Sequence, residues 1–100
     1  PYHILVVDDN QDLLNYLRML LAPRYQITCA SNGKEALDLL SELMPDLVIS
    51  DVMMPVMDGM ELCRKIKQNF RTSHLPVVLL TAKVETGDYW KDWRMEQTSM

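Results

Sequence analysis

Four short apolar runs punctuate the chain: "HILVVDD", "YQITCA", "DLVIS" and "LPVVLLT". The first and last are continuous rather than alternating, the pattern of strands buried on both faces of a parallel sheet. The segments between them are amphipathic. Leu13, Leu14, Leu17, Leu20 and Leu21 recur at helical spacing, with Asp9 or Asn10 as the cap and Pro23 just past the end. "SNGKEALDLLSELM" predicts a second helix with an apolar stripe of Ala36, Leu39, Leu40 and Leu43. Asn32 and Glu35 resemble a capping box, and Pro45 ends the segment. A third helix sets Met60, Cys63, Ile66 and Phe70 on one side and Arg64, Lys65 and Lys67 on the other. Asp58-Gly59 reads as the turn that starts it, with Pro55 shaping the same loop.

The resulting order, β-α-β-α-β-α-β, predicts an α/β domain: a parallel sheet with helices on both faces and right-handed crossovers. After Thr81 the pattern changes. "AKVETGDYWKDWRMEQTSM" contains no apolar run fit for a buried strand. Tyr89, Trp90, Trp93 and Met95 would make one short amphipathic turn or two, with Gly87 interrupting anything longer. An irregular tail is the equal alternative.

Composition narrows the function. The 100 residues make one domain, able to bury roughly 60–65% of its unfolded surface without staples. Net charge is −4 with no lysine or arginine cluster, which argues against direct nucleic-acid binding. No apolar run approaches the ~18 residues of a membrane span, and no signal-peptide pattern is present. Cys29 and Cys63 fall within apolar patterns and read as buried thiols in a reducing, cytoplasmic setting rather than as a disulfide. His3 and His74 read as surface or strand-edge residues without a metal role. The chain opens on Pro1 and enters a strand at once, as a piece of a longer polypeptide would.

In a parallel sheet all strand carboxyl ends open on one edge, where ligands bind. Asp8 and Asp9, Asp51, and Thr81 stand at three such ends. Carboxylates gathered there repel one another, and a hard divalent cation relieves the repulsion. An all-oxygen set open to water suits Mg2+ better than zinc, for no histidine–cysteine set is present. A metal beside a carboxylate suits phosphoryl transfer, with the carboxylate attacking phosphorus. An aspartate-nucleophile phosphatase fits less well, because Met53 occupies the position where such enzymes carry a second acid.

With its "ILVVDDN", "NGKEAL", "DLVISDVMMPVMDGMEL" and "PVVLLTA", the sequence resembles the receiver domains of two-component response regulators over about residues 3 to 83. The run "SDVMMPVMDG" looks most like receivers carried in hybrid sensor kinases. The resemblance implies a flavodoxin-like, doubly wound sheet, here cut to four strands in the order 2-1-3-4 with three helices. It divides the chain into a receiver domain at 1–83 and an atypical tail at 84–100. It implies that Asp51 is the phosphoacceptor and that Asp8 and Asp9 form the acidic pocket. Asp9, Asp51 and the Met53 backbone carbonyl would hold Mg2+, with Asp8 acting through water. Thr81 would be the switch hydroxyl, and small Ala82 would leave room for the phosphoryl group. The implied partner is a sensor histidine kinase or phosphotransfer domain, and the implied role is a signalling module rather than a turnover enzyme. A receiver that works only as a protein-interaction module is the alternative.

The family continues with a fourth helix, a fifth strand that ends in Lys-Pro, and a fifth helix. No Lys-Pro pair occurs here; Lys83 comes too early, and Tyr89 and Trp90 sit in no strand-like run. A charge-stabilising donor of that kind is worth about 3–4 kcal/mol in related settings. Without a fifth strand the fourth becomes an edge. The expectation is that the tail covers this edge or that two chains associate through it, by exchange of elements or otherwise.

Overall fold

A computed structural model describes residues 2–82 and 93–98, with side chains for residues 2–80. Five strands and three helices follow in the order β1 (His3–Val7), α1 (Gln11–Leu21), β2 (Gln26–Ala30), α2 (Gly33–Leu40), β3 (Leu47–Asp51), α3 (Gly59–Gln68), β4 (Val77–Ala82) and β5 (Trp93–Thr98). They form one sheet in the order β2-β1-β3-β4-β5. The first four strands are parallel, in the expected order 2-1-3-4.

The two faces of the sheet are covered unequally. Leu5, Val7, Val48, Val77 and Leu79 lie under α2 and α3, packed with Ala36, Leu40, Leu62 and Ile66. On the opposite face Ile4 and Val6 meet Leu14 of α1, while Leu17, Ile27, Leu47 and Ile49 are only partly buried. Each helix begins on an asparagine or aspartate side chain that accepts from a first-turn N–H, satisfying a donor the helix itself cannot. Asn10 accepts from Leu13 N–H, Asn32 from Glu35 N–H and Asp58 from Glu61 N–H, at 3.1, 2.9 and 2.8 Å. Asn10, not Asp9, is therefore the α1 cap. Glu35 reaches back to Ser31 N–H at 2.8 Å, one residue before the position of a standard capping box.

Several sequence expectations are corrected. The helix α2 stops at Leu40, so Leu43 lies beyond it in a turn closed by its N–H to the Leu39 carbonyl at 2.9 Å. Leu20 and Met60 are exposed, and Phe70 is 98% exposed in the loop after α3. The buried face of α3 is Gly59, Leu62, Cys63 and Ile66. Both phases fit a 3.6-residue period, and packing against the sheet decides between them.

The tail differs from an irregular or short helical segment at Trp93–Thr98, which forms β5 antiparallel to β4. The pairing runs from Ala82↔Trp93 to Val77↔Thr98 and covers the β4 edge, as one of the two expected outcomes had it. An antiparallel edge strand on an otherwise parallel sheet is a common arrangement. Gly87, Tyr89, Trp90 and Lys83 lie outside the described residues. Among the described residues no helix is long and apolar enough to cross a membrane, and no disulfide joins Cys29 and Cys63.

Candidate functional site

The acids meet at the carboxyl edge of the sheet because two adjacent parallel strands, β1 and β3, deliver them there. The last residue of β1 is Val7, and Asp8 follows, its N–H donating to the Ala30 carbonyl of β2 at 3.0 Å. Asp8 is buried at 6% exposure, and its Oδ1 accepts from Asn10 N–H at 2.9 Å, which fixes the turn into α1. Asp9 is exposed. Asp51 is the final residue of β3, half-buried. One carboxylate oxygen from each of Asp8, Asp9 and Asp51 can be chosen so that all lie within 4.8 Å of one another.

This crowding has an electrostatic signature. Burial pushes the Asp8 carboxyl above its ordinary range, and the charges of Asp51 and Asp9 push it further; the Asn10 N–H opposes them. Burial also raises Asp51, assisted by the charge of Asp9, while the backbone N–H groups of Met53 and Val52 favour its ionised form. The cluster thus holds more negative charge than it prefers. Three carboxylates and no nitrogen or sulfur ligand make a donor set that fits a hard divalent cation such as Mg2+.

The loop after Asp51 is clamped from two sides. Gly59 N–H donates to the Val52 carbonyl at 2.9 Å, and a Cβ on Gly59 would stand 2.2 Å from the Asp51 carbonyl oxygen. Only glycine lets α3 start this close to the strand end that carries Asp51. Gly33 N–H donates to the Met57 carbonyl at 3.0 Å, tying the start of α2 to the same loop. Between these clamps Val56 has φ +69°, a left-handed conformation that a β-branched residue rarely adopts. Met57 N–H closes the turn on the Pro55 carbonyl at 2.7 Å. Buried Ser50 donates its hydroxyl to the Asp51 carbonyl at 2.8 Å.

Of the site residues predicted from sequence, Asp8, Asp9 and Asp51 are brought together. Met53 lies two residues past Asp51 in the clamped loop, with an exposed side chain. Thr81 and Ala82 are the last residues of β4, beside Asp51, which pairs with Leu80. Sequence reasoning missed Gly59 and Ser50 as supports of Asp51. The Asp58-Gly59 pair was the available signal for the first, and it reads equally well as an ordinary turn.

Fold and site together define an open α/β domain with an acidic, cation-suited pocket at the carboxyl edge of its sheet. The family model described as response regulator receiver domain matches residues 4–94, and the chain belongs to that family. It is 51% identical over 80 residues to histidine kinase P4 of Formosa agariphila, covering 80% of this chain and 6% of that protein. It is 44% identical over 86 residues to the response regulator PleD of Caulobacter vibrioides, covering 85% of this chain and 19% of that protein. The chain therefore spans a small fraction of these curated relatives. The signal receiver domain of a signal transduction histidine kinase from Syntrophus aciditrophicus superimposes with a TM-score of 0.79 at 40% identity, over 88% of this chain and 67% of that one.

Proposed function

We propose that the chain is a phospho-accepting module of a two-component phosphorelay, which takes a phosphoryl group from a kinase histidine onto Asp51 in the presence of Mg2+. The observation that carries this reading is the meeting of the Asp8, Asp9 and Asp51 carboxylates within 4.8 Å. Asp51 ends a strand and is half-buried, so its oxygens are held in place yet open to a partner. In the proposed step an Asp51 oxygen attacks phosphorus. The new O–P bond forms as the N–P bond to the histidine breaks, and the imidazole keeps the electron pair. Asp9, Asp51 and the Met53 carbonyl would hold Mg2+, with Asp8 acting through water. When bound, Mg2+ supplies the positive charge that offsets the crowded carboxylates and the incoming phosphoryl oxygens. Thr81 is assigned the switch hydroxyl. The natural donor is a sensor histidine kinase or phosphotransfer domain, and the module signals in the cytoplasm rather than turning over a substrate.

Incubation with acetyl phosphate and Mg2+, followed by intact mass, tests this. The native chain is expected to gain one phosphoryl group, and Asp51→Asn or added chelator to abolish the gain. Equal labelling of Asp51→Asn would reassign the acceptor.

A second reading, a receiver that acts only through protein contacts, draws on one observation. The strand β5 runs antiparallel, and its last residue, Thr98, pairs with Val77 at the amino end of β4. The carboxyl end of β5, where the family's Lys-Pro pair would stand, thus lies away from the acids, and the cation that β5 carries at their end of the sheet is Arg94, paired with Thr81. Absence of any labelling of the native chain would favour this reading.

A further inference from the structure

The outermost strand of the sheet is β5, and among the described residues no strand pairs with its outer side. A row of unpaired N–H and C=O groups is a template for another strand. The sequence of β5, WRMEQT, carries opposite charges on either side of one apolar residue: Arg94, Met95, Glu96. From this placement we infer that β5 pairs with β5 of a second copy, antiparallel about a two-fold axis at Met95, giving a continuous ten-stranded sheet.

Symmetry restricts the choice of register. With the axis at Met95, Arg94 of each copy stands opposite Glu96 of the other, and the charge match occurs twice. An axis at Arg94 or at Glu96 sets like charges opposite each other. An axis between Met95 and Glu96 opposes Arg94 to Gln97, and one between Arg94 and Met95 opposes Arg94 to Met95. Among these registers only the Met95-centred one pairs Arg94 with Glu96. The other edge strand, β2, reads QITCA and carries no charge to select a register. The same axis has a consequence for the acids. Asp51 pairs with Leu80, and Leu80 pairs with Met95. The two Asp51 positions therefore lie level with the axis, five strand spacings or about 24 Å apart.

Sedimentation equilibrium of the full 100-residue chain and its charge variants tests the pairing. A concentration-dependent dimer is expected. Arg94→Glu and Glu96→Arg alone should each weaken it about tenfold, because both symmetry-related pairs turn repulsive, and the double variant should restore it. Circular dichroism of each variant checks that the fold is kept. In a Cys29→Ser background, Met95→Cys should form a covalent dimer on oxidation and Gln97→Cys should not, since only the first meets its own copy at the axis. A monomer at every concentration overturns the proposal. So does a dimer indifferent to the single reversals, or cross-linking through Gln97→Cys in place of Met95→Cys.

Discussion

At the scale of single residues, the acid cluster and the loop behind it make opposite demands. Asp8 and Asp51 both titrate above their ordinary range, so the folded state holds their protons more tightly than the unfolded chain does. In chelator-containing buffer this component of stability is fully present below the ordinary carboxylate value of 3.8 and is lost as pH rises through the raised folded values. Asp51→Asn removes the repulsion, so it is expected to stabilise the protein at pH 7 by up to about 1 kcal/mol, since the cluster is partly solvated. The gain should fade toward pH 4, as urea midpoints at the two pH values would record. Val56 tests the loop. Its side chain is 77% exposed, so Val56→Asn loses little packing and relieves the left-handed strain. A rise of about 0.5–1 kcal/mol in urea unfolding is expected. Gly59→Ala should do the reverse. Its Cβ would collide with the Asp51 carbonyl, costing about 2–3 kcal/mol and slowing labelling of Asp51 by displacing it.

At the scale of elements, α3 depends on a cap that also adjoins the site. Asp58→Ala removes the acceptor for Glu61 N–H and is expected to cost about 1 kcal/mol in thermal or urea unfolding. The elements differ in how far the sequence revealed them. Continuous runs such as ILVV in β1 and VVLL in β4 declare strands buried on both faces, and acids just past or at strand ends follow from the parallel topology. The caps Asn32 and Asp58 are legible because the helix termini need their oxygens. The face of α3 is less legible, since Met60 and Leu62 each complete a helical stripe and only the position of the sheet selects Leu62. The strand β5 was illegible because WRMEQT has no apolar run; a neighbour's backbone completes it. Gly59 reads as turn chemistry in the sequence, because its close approach to Asp51 is a fact of three dimensions.

For the whole molecule, the asymmetry of the sheet is the governing feature. The face under α2 and α3 carries the larger core, whereas the face under α1 leaves Ile27, Leu47 and Ile49 partly buried. Sub-global opening should therefore begin at the edges and the α1 face, with β1 and β3 last to open. Amide hydrogen exchange is the check: the slowest amides are expected at Leu5, Val7 and Val48, and faster ones in β2.

The direction of β5 also bears on how the chain reaches its fold. Parallel partners in the sheet are 23 to 43 residues apart in sequence, from His3↔Gln26 to Ile4↔Leu47. The β4–β5 partners are only 11 to 21 apart, from Ala82↔Trp93 to Val77↔Thr98. Bringing together partners this near in the chain costs less entropy than a crossover, so the β4–β5 hairpin is the low-contact-order part of this topology. The hairpin can zip before the parallel strands assemble, occupying the β4 edge during the slow stage when a bare strand is most prone to aggregate.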